Sequence, residues 1–316
     1  MDNNDLYKNR SVASVVRESY FLMLTNLRRI FSKTWLPVVA LSLVGALVTF
    51  CIPDAQTLHQ APAPLTRQEA MMNIVRMVGP LIALTVGFFG VANWLTAKLT
   101  SLLNARSFRH NLRRALSCYG VLLTLFAIVG LIVFVGEMLI GFQMAEKGVT
   151  PERMQTVGRA LSCGVTGLLF VVSLPLAYSA MSYIINEKTK LREILSSGYL
   201  YGLRHWGYLF TVAFLAGIIS LIIILVVSAP TFILSAAVSI DDYGTMIMGD
   251  ESGLPSKFQL LVWMTNFITT FVLSYVGVWL FFVFYYTYGH LAAKRSAKRS
   301  DVDVNPKATG AEEDGK

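Results

Sequence analysis

The chain has 316 residues, 54% of them hydrophobic and only 15% charged, with a formal net charge of +8, and its mean hydropathy is +0.56. A soluble domain carries about 25% charged residues, so this composition excludes a soluble enzyme as the reading of the whole chain. The basic excess also lacks the fold context of a nucleic-acid reader, and cytoplasmic loops beside anionic lipid account for it.

Residues 1–34 form a basic N-terminal segment. In it Val12, Val16, Tyr20, Met23, Leu27 and Ile30 recur at helical spacing, which predicts an amphipathic helix lying in the membrane interface. Six apolar stretches follow: Trp35–Ile52, Met77–Leu95, Tyr119–Leu139, Ala160–Ile184, Tyr208–Ala229 and Leu260–Tyr286. Each is nearly free of charge and close to the roughly 20 residues that cross about 30 Å of hydrocarbon. They are too long, and alternate too little, for barrel strands. Residues 35–293 are therefore expected to form a six-helix transmembrane domain. Pro175 is expected to kink the fourth span, and Pro230 to end the fifth, leaving Thr231–Ile240 as an outer interfacial segment. Residues 294–316 are expected to be a disordered tail, basic at Arg295 and acidic at Glu312. No cleavable leader is evident.

Lys and Arg alternate across these spans. The N-terminal segment, the loops after spans two and four, and the tail hold 21 of the 27. The positive-inside rule then places both termini in the cytoplasm. Asp241, Asp242, Asp250 and Glu251 make the loop after span five acidic. That suits a solvated outer loop, because the calcium-loop pattern is missing.

The approaches to the outward-going spans resemble one another. Asn26-Leu27-Arg28-Arg29, Asn111-Leu112-Arg113-Arg114 and Gly202-Leu203-Arg204-His205 stand at offsets of 85 and 91 residues, each behind apolar residues at helical spacing. This predicts a threefold pseudo-repeat of amphipathic lead-in helix plus hairpin, with Arg28, Arg29, Arg113, Arg114 and Arg204 contacting lipid headgroups. The basic amphipathic lead-in, the six spans, Ser197-Gly198-Tyr199-Leu200-Tyr201-Gly202-Leu203-Arg204 before span five, and the last span running into Phe284-Tyr285-Tyr286 carry a resemblance over nearly the whole chain. It resembles the bacterial six-span family related to the membrane domain of glycerophosphodiester phosphodiesterases. The resemblance implies a six-helix bundle in the bacterial inner membrane. It implies no phosphodiesterase activity, since that chemistry belongs to a separate soluble barrel for which this chain has no room.

Polar groups inside the spans are few. Glu137 is the one carboxylate there, an intramembrane charge and so a candidate coupling or substrate group. Its distance from Tyr119, about 27 Å of helix rise, also fits a simple interfacial position. Asn93 and Asn266 are candidates for a polar site or for inter-helix hydrogen bonds. Gly79, Ala83 and Gly87 form a stripe suited to close helix packing. Cys51, Cys118 and Cys163 show no metal spacing, although Cys51 and Cys163 could bridge near the outer face. His59, His110, His205 and His290 form no catalytic or metal pattern. No phosphate loop, nucleophile elbow or paired carboxylates appear, so no catalytic residue, metal or cofactor is expected. These features predict an all-α, non-enzymatic integral membrane protein that organises or assists lipids or partner proteins, in the bacterial inner membrane that the resemblance implies. Its partners would be membrane lipids, other membrane proteins or further copies of itself, and not nucleic acid. A transporter or export factor for a small or amphiphilic solute is the alternative.

Overall fold

The computed structural model describes residues 6–51, 67–104, 106–146, 150–249, 251 and 253–304. Among them eight α-helices follow one another: α1 Val12–Thr25, α2 Leu27–Cys51, α3 Arg67–Leu103, α4 Phe108–Glu146, α5 Pro151–Ile185, α6 Ser197–Arg204, α7 Trp206–Tyr243 and α8 Phe258–Val304. Helices α2, α3, α4, α5, α7 and α8 are long and apolar enough to cross a membrane. The all-α, six-span class expected from hydropathy is therefore the class observed.

The helices outrun the apolar windows. With 47 residues, α8 is about 70 Å long at 1.5 Å per residue, against about 30 Å of hydrocarbon. Residues 294–304, expected in the tail, are helical: they prolong α8 without a break, and Ala292, Ala293, Lys294, Arg295, Ala297, Lys298 and Arg299 are good helix formers. Residues 305–316 lie outside the described set. Helix α2 starts at Leu27, well before Trp35. Pro230 does not end span five: it sits inside α7, which continues to Tyr243. The expected outer segment Thr231–Ile240 is thus the last part of that helix. Apolar turns on both sides of Pro230 keep their own hydrogen bonds, so losing one N–H does not stop the helix.

The lead-ins are not threefold. Helix α1 precedes α2, and α6 precedes α7, but only residues 104–107 separate α3 from α4. That connection is too short for a third helix, and the apolar residues expected there belong to the end of α3, where Leu99 and Leu103 are buried. Helix α1 buries Val15, Val16 and Ser19 and leaves Tyr20, Phe21 and Leu24 exposed. The expected Val12–Val16–Tyr20 stripe is therefore rotated by about one residue.

The described residues form two compact units. One draws on the N-terminal segment through Leu22, on Arg109–Ala216 and on the chain from Phe281. The other draws on Met23–Phe108 and Gly217–Leu280. In the second unit α2 packs along α3. Gly45 makes room for α8, since a Cβ there would lie 2.7 Å from Thr270 Cγ2. Of the expected small-residue stripe, only Gly87 faces a neighbour, Val44, while Gly79 and Ala83 are exposed. The hydroxyls of Thr231 and Thr269 pair at 3.1 Å, and Phe31 stacks on Tyr275.

In the first unit α5 ends at Ile185, and a 3-10 turn, Leu191–Ile194, leads into α6, which packs on α5. The docking point is Pro175. Proline has no N–H, so the carbonyl four residues earlier, that of Val171, loses its helical donor. The Trp206 indole N–H donates to that carbonyl at 3.2 Å, and the Tyr199 hydroxyl donates to the next one, Val172, at 3.4 Å. Gly202 brings the two backbones together: a Cβ there would lie 3.0 Å from Pro175 Cα. At the far end of α8, Gly289 leaves space for the N-terminal segment, because any Cβ would collide with the Leu6 carbonyl oxygen.

Candidate functional site: a polar, tyrosine-walled pocket in the first unit

The C-terminus of α5 would present carbonyls without intrahelical donors. Arg114, from α4, supplies them. Its guanidinium donates to the carbonyls of Tyr183 (Nε, 3.1 Å), Asn186 (3.0 Å), Thr189 (3.2 Å) and Glu187 (3.3 Å). It also sits 4.1 Å from the centroid of the Tyr183 ring. One planar five-donor fork thus fixes the connection after α5, which a lysine could not do. The cluster of Cys118, Tyr183, Ile184 and Ile194 packs behind it. His110 Nε2 approaches Glu187 Oε1 at 3.8 Å on the exposed rim.

A second knot ties the N-terminal segment to α8. The Arg10 backbone N–H donates to His290 Nδ1 at 2.9 Å, and the Tyr208 hydroxyl donates to the Arg10 carbonyl at 3.3 Å. Rings of Tyr208 and His290 stack at 4.4 Å, and the Arg10 guanidinium lies 4.8 Å from the Tyr286 centroid. Because His290 Nδ1 accepts a hydrogen bond, the contact requires that nitrogen to be unprotonated.

Between these two anchors lies a pocket of about 630 Å³, lined by Tyr7, Tyr178, Ser179, Ser182, Asn186, Lys188, Thr189, Glu193, Gly198, Tyr288, Arg295 and Ser296. Tyr178 and Tyr288 are buried and form its floor, with ring centroids 6.0 Å apart; Tyr7 meets Tyr288 edge-on. Arg295, on the helical extension of α8, holds its guanidinium 5.1 Å from the Tyr201 centroid. The Tyr201 hydroxyl donates to the Leu291 carbonyl at 3.0 Å. Burial pushes the Tyr201 phenol above its ordinary pKa, and Arg295 beside it acts in the opposite direction. Glu193, the one carboxylate in the wall, accepts the Lys190 backbone N–H at 3.3 Å. The lining is therefore cationic in balance and rich in hydroxyls.

The residues singled out from sequence are placed as follows. Arg28, Arg29, Arg113 and Arg204 are exposed. Arg114 is half-buried and committed to the α5 carbonyls, not turned outward like its neighbour. Asn93 is buried in α3, its Nδ2 donating to the Phe89 carbonyl one turn earlier at 2.7 Å. Asn266 is half-buried in α8. Glu137 falls in α4, but its side chain lies outside the described residues, as does that of Cys51. Cys163 is a free, exposed thiol. Asp241 accepts the Gly253 N–H at 2.8 Å. Among the described residues, no three His, Cys, Asp or Glu side chains form a metal set.

The pocket residues were not singled out from sequence. Arg295 was expected in a disordered tail. The one available signal was the presence of tyrosines such as Tyr178, Tyr183, Tyr285 and Tyr288 among the aromatic residues near the ends of spans four and six, since a buried phenol hydroxyl needs a partner. No family model matches the chain, and no curated protein or solved structure matches it either.

Proposed function

We propose that this is a non-enzymatic integral protein of the bacterial inner membrane that engages anionic lipid at the cytoplasmic face. The carrying observation is that Arg28, Arg29, Arg113 and Arg204 are exposed beside exposed apolar side chains such as Leu27, Phe31, Leu200 and Leu203. Guanidiniums next to apolar surface, in the first turns of α2 and α4 and at the end of the short α6 that leads into α7, suit the headgroup layer. There each cation near an anionic surface contributes about 1 kcal/mol. The positive-inside asymmetry supports cytoplasmic termini, and the resemblance to the glycerophosphodiester phosphodiesterase membrane domain agrees with a six-helix bundle.

The test is lipid retention. Wild type and an Arg28→Gln, Arg29→Gln, Arg113→Gln, Arg204→Gln variant are extracted in mild detergent, and the co-purified lipid is counted by mass spectrometry. Arg114 is left in place because it holds α5. Wild type should retain phosphatidylglycerol in excess over its share of the membrane, and the variant should lose that excess. Equal retention by both proteins would sink the proposal.

A further inference from the structure

We infer that the pocket between the α5 C-terminus, the start of α6 and the end of α8 is a binding site for a phosphate ester, with Lys188 and Arg295 taking the phosphate oxygens. This stands on residues other than the exposed arginines and does not depend on them. The volume of about 630 Å³ falls within the roughly 300–1,000 Å³ of small-molecule pockets. It is ample for a phosphate with a glycerol-sized substituent.

The charge balance selects an anion. Lys188 and Arg295 share the wall with one carboxylate, Glu193, whose Oε1 accepts the Lys190 N–H. The helix end beside the pocket would ordinarily repel an anion, because a C-terminus carries partial negative charge. Here Arg114 covers those carbonyls and removes the repulsion without drawing on Lys188. The other helix end in the wall acts in the same direction. Gly198 lies in the first turn of α6, and Ser196 does not cap that turn, since its hydroxyl donates to the Arg192 carbonyl instead. Because Gly198 lines the pocket, the positive dipole end of α6 lies at its wall and adds to the two cations. Arg295 is pre-set by the Tyr201 ring below it, so its fork loses little freedom on taking two phosphate oxygens. Ser182 and Tyr178 supply hydroxyls for the ester's polyol part.

A lipid headgroup and a soluble ester share this chemistry, and the experiment separates them. The full chain is placed in phosphatidylcholine nanodiscs and titrated, in separate arms, with glycerol 3-phosphate and with short-chain phosphatidic acid. Stoichiometry is read by native mass spectrometry and affinity by intrinsic fluorescence. One saturable site per chain is expected, weakened at least tenfold in Lys188→Gln, Arg295→Gln and unchanged in Arg153→Gln, Arg159→Gln, two exposed cations of α5 outside the pocket lining. Ser182→Leu, which fills the pocket without altering charge, should weaken it as well, with the thermal midpoint of each variant confirming folding. Binding in both arms assigns recognition to the phosphate. Binding only of phosphatidic acid assigns it to a lipid headgroup, and binding only of glycerol 3-phosphate to a soluble ester. Absence of saturable binding in both arms overturns the proposal. So does binding that the Lys188, Arg295 variant leaves intact.

Discussion

Removing Arg114 is the sharpest way to ask whether one side chain organises the first unit. Its guanidinium serves four carbonyls, one in the last turn of α5 and three just after it, and covers the Tyr183 ring. Hydrogen bonds to a charged donor contribute about 1.5–3 kcal/mol each. Carbonyls at a partly exposed helix end can turn to water, so the loss on Arg114→Gln should be well below the sum, about 2–4 kcal/mol. Cys118 provides the readout. It is buried against Tyr183, Ile184 and Ile194, directly behind the region Arg114 holds, whereas Cys163 is exposed. In a Cys51→Ser, Cys163→Ser background, a thiol reagent should label Cys118 only when this region opens. A loss of about 2 kcal/mol in the local opening free energy raises the open population roughly thirtyfold, and the labelling rate should rise in proportion. Arg114→Lys keeps the charge but not the fork, so it should fall in between. If Arg114→Gln left both the Cys118 labelling rate and the thermal midpoint at wild-type values, the clamp argument would be wrong.

Two further outcomes follow from the Pro175 step. Trp206→Phe removes the donor to the Val171 carbonyl and should cost about 1 kcal/mol, in the range measured for hydrogen bonds within membrane bundles. In a Pro175→Ala background a helical N–H again reaches that carbonyl, so the same substitution should cost less; additive effects in this double-mutant cycle, read by thermal unfolding in detergent, would remove the indole's assigned role. Gly202→Ala drives a Cβ against Pro175 backbone atoms that cannot yield alone, and should destabilise by about 1–3 kcal/mol. Gly207→Ala is the control, since a Cβ there meets nothing within 4 Å, and equal midpoint shifts for the two would contradict the close-approach argument.

How far the chain could be read without coordinates differs between its parts. The six spans were legible because crossing hydrocarbon imposes a one-dimensional requirement, a long uncharged run, that hydropathy measures directly. Helix limits were less so: hydropathy marks what lies in lipid, whereas a helix ends only where its hydrogen-bonded turns end, as α8 runs on from Tyr286 to Val304 and α7 runs on past Pro230. The expected threefold repeat rested on four-residue likenesses. It failed at the second lead-in, where residues 104–107 leave no room for a helix.

The candidate site was the least legible part. Arg113 and Arg114 are neighbours of the same type, yet one is exposed and the other caps α5, because successive helical positions point about 100° apart and only one of them meets the incoming helix end. The contact of Arg10 with His290 joins residues near opposite ends of the chain, and no local pattern encodes it. The sequence alone determined the class, the spans and the expected orientation, since each depends on the composition of a segment in a given solvent. Tertiary structure alone decided which cations are exposed, which close a helix, and which line a pocket, because those roles depend on what another segment brings within about 3 Å hydrogen-bonding distance.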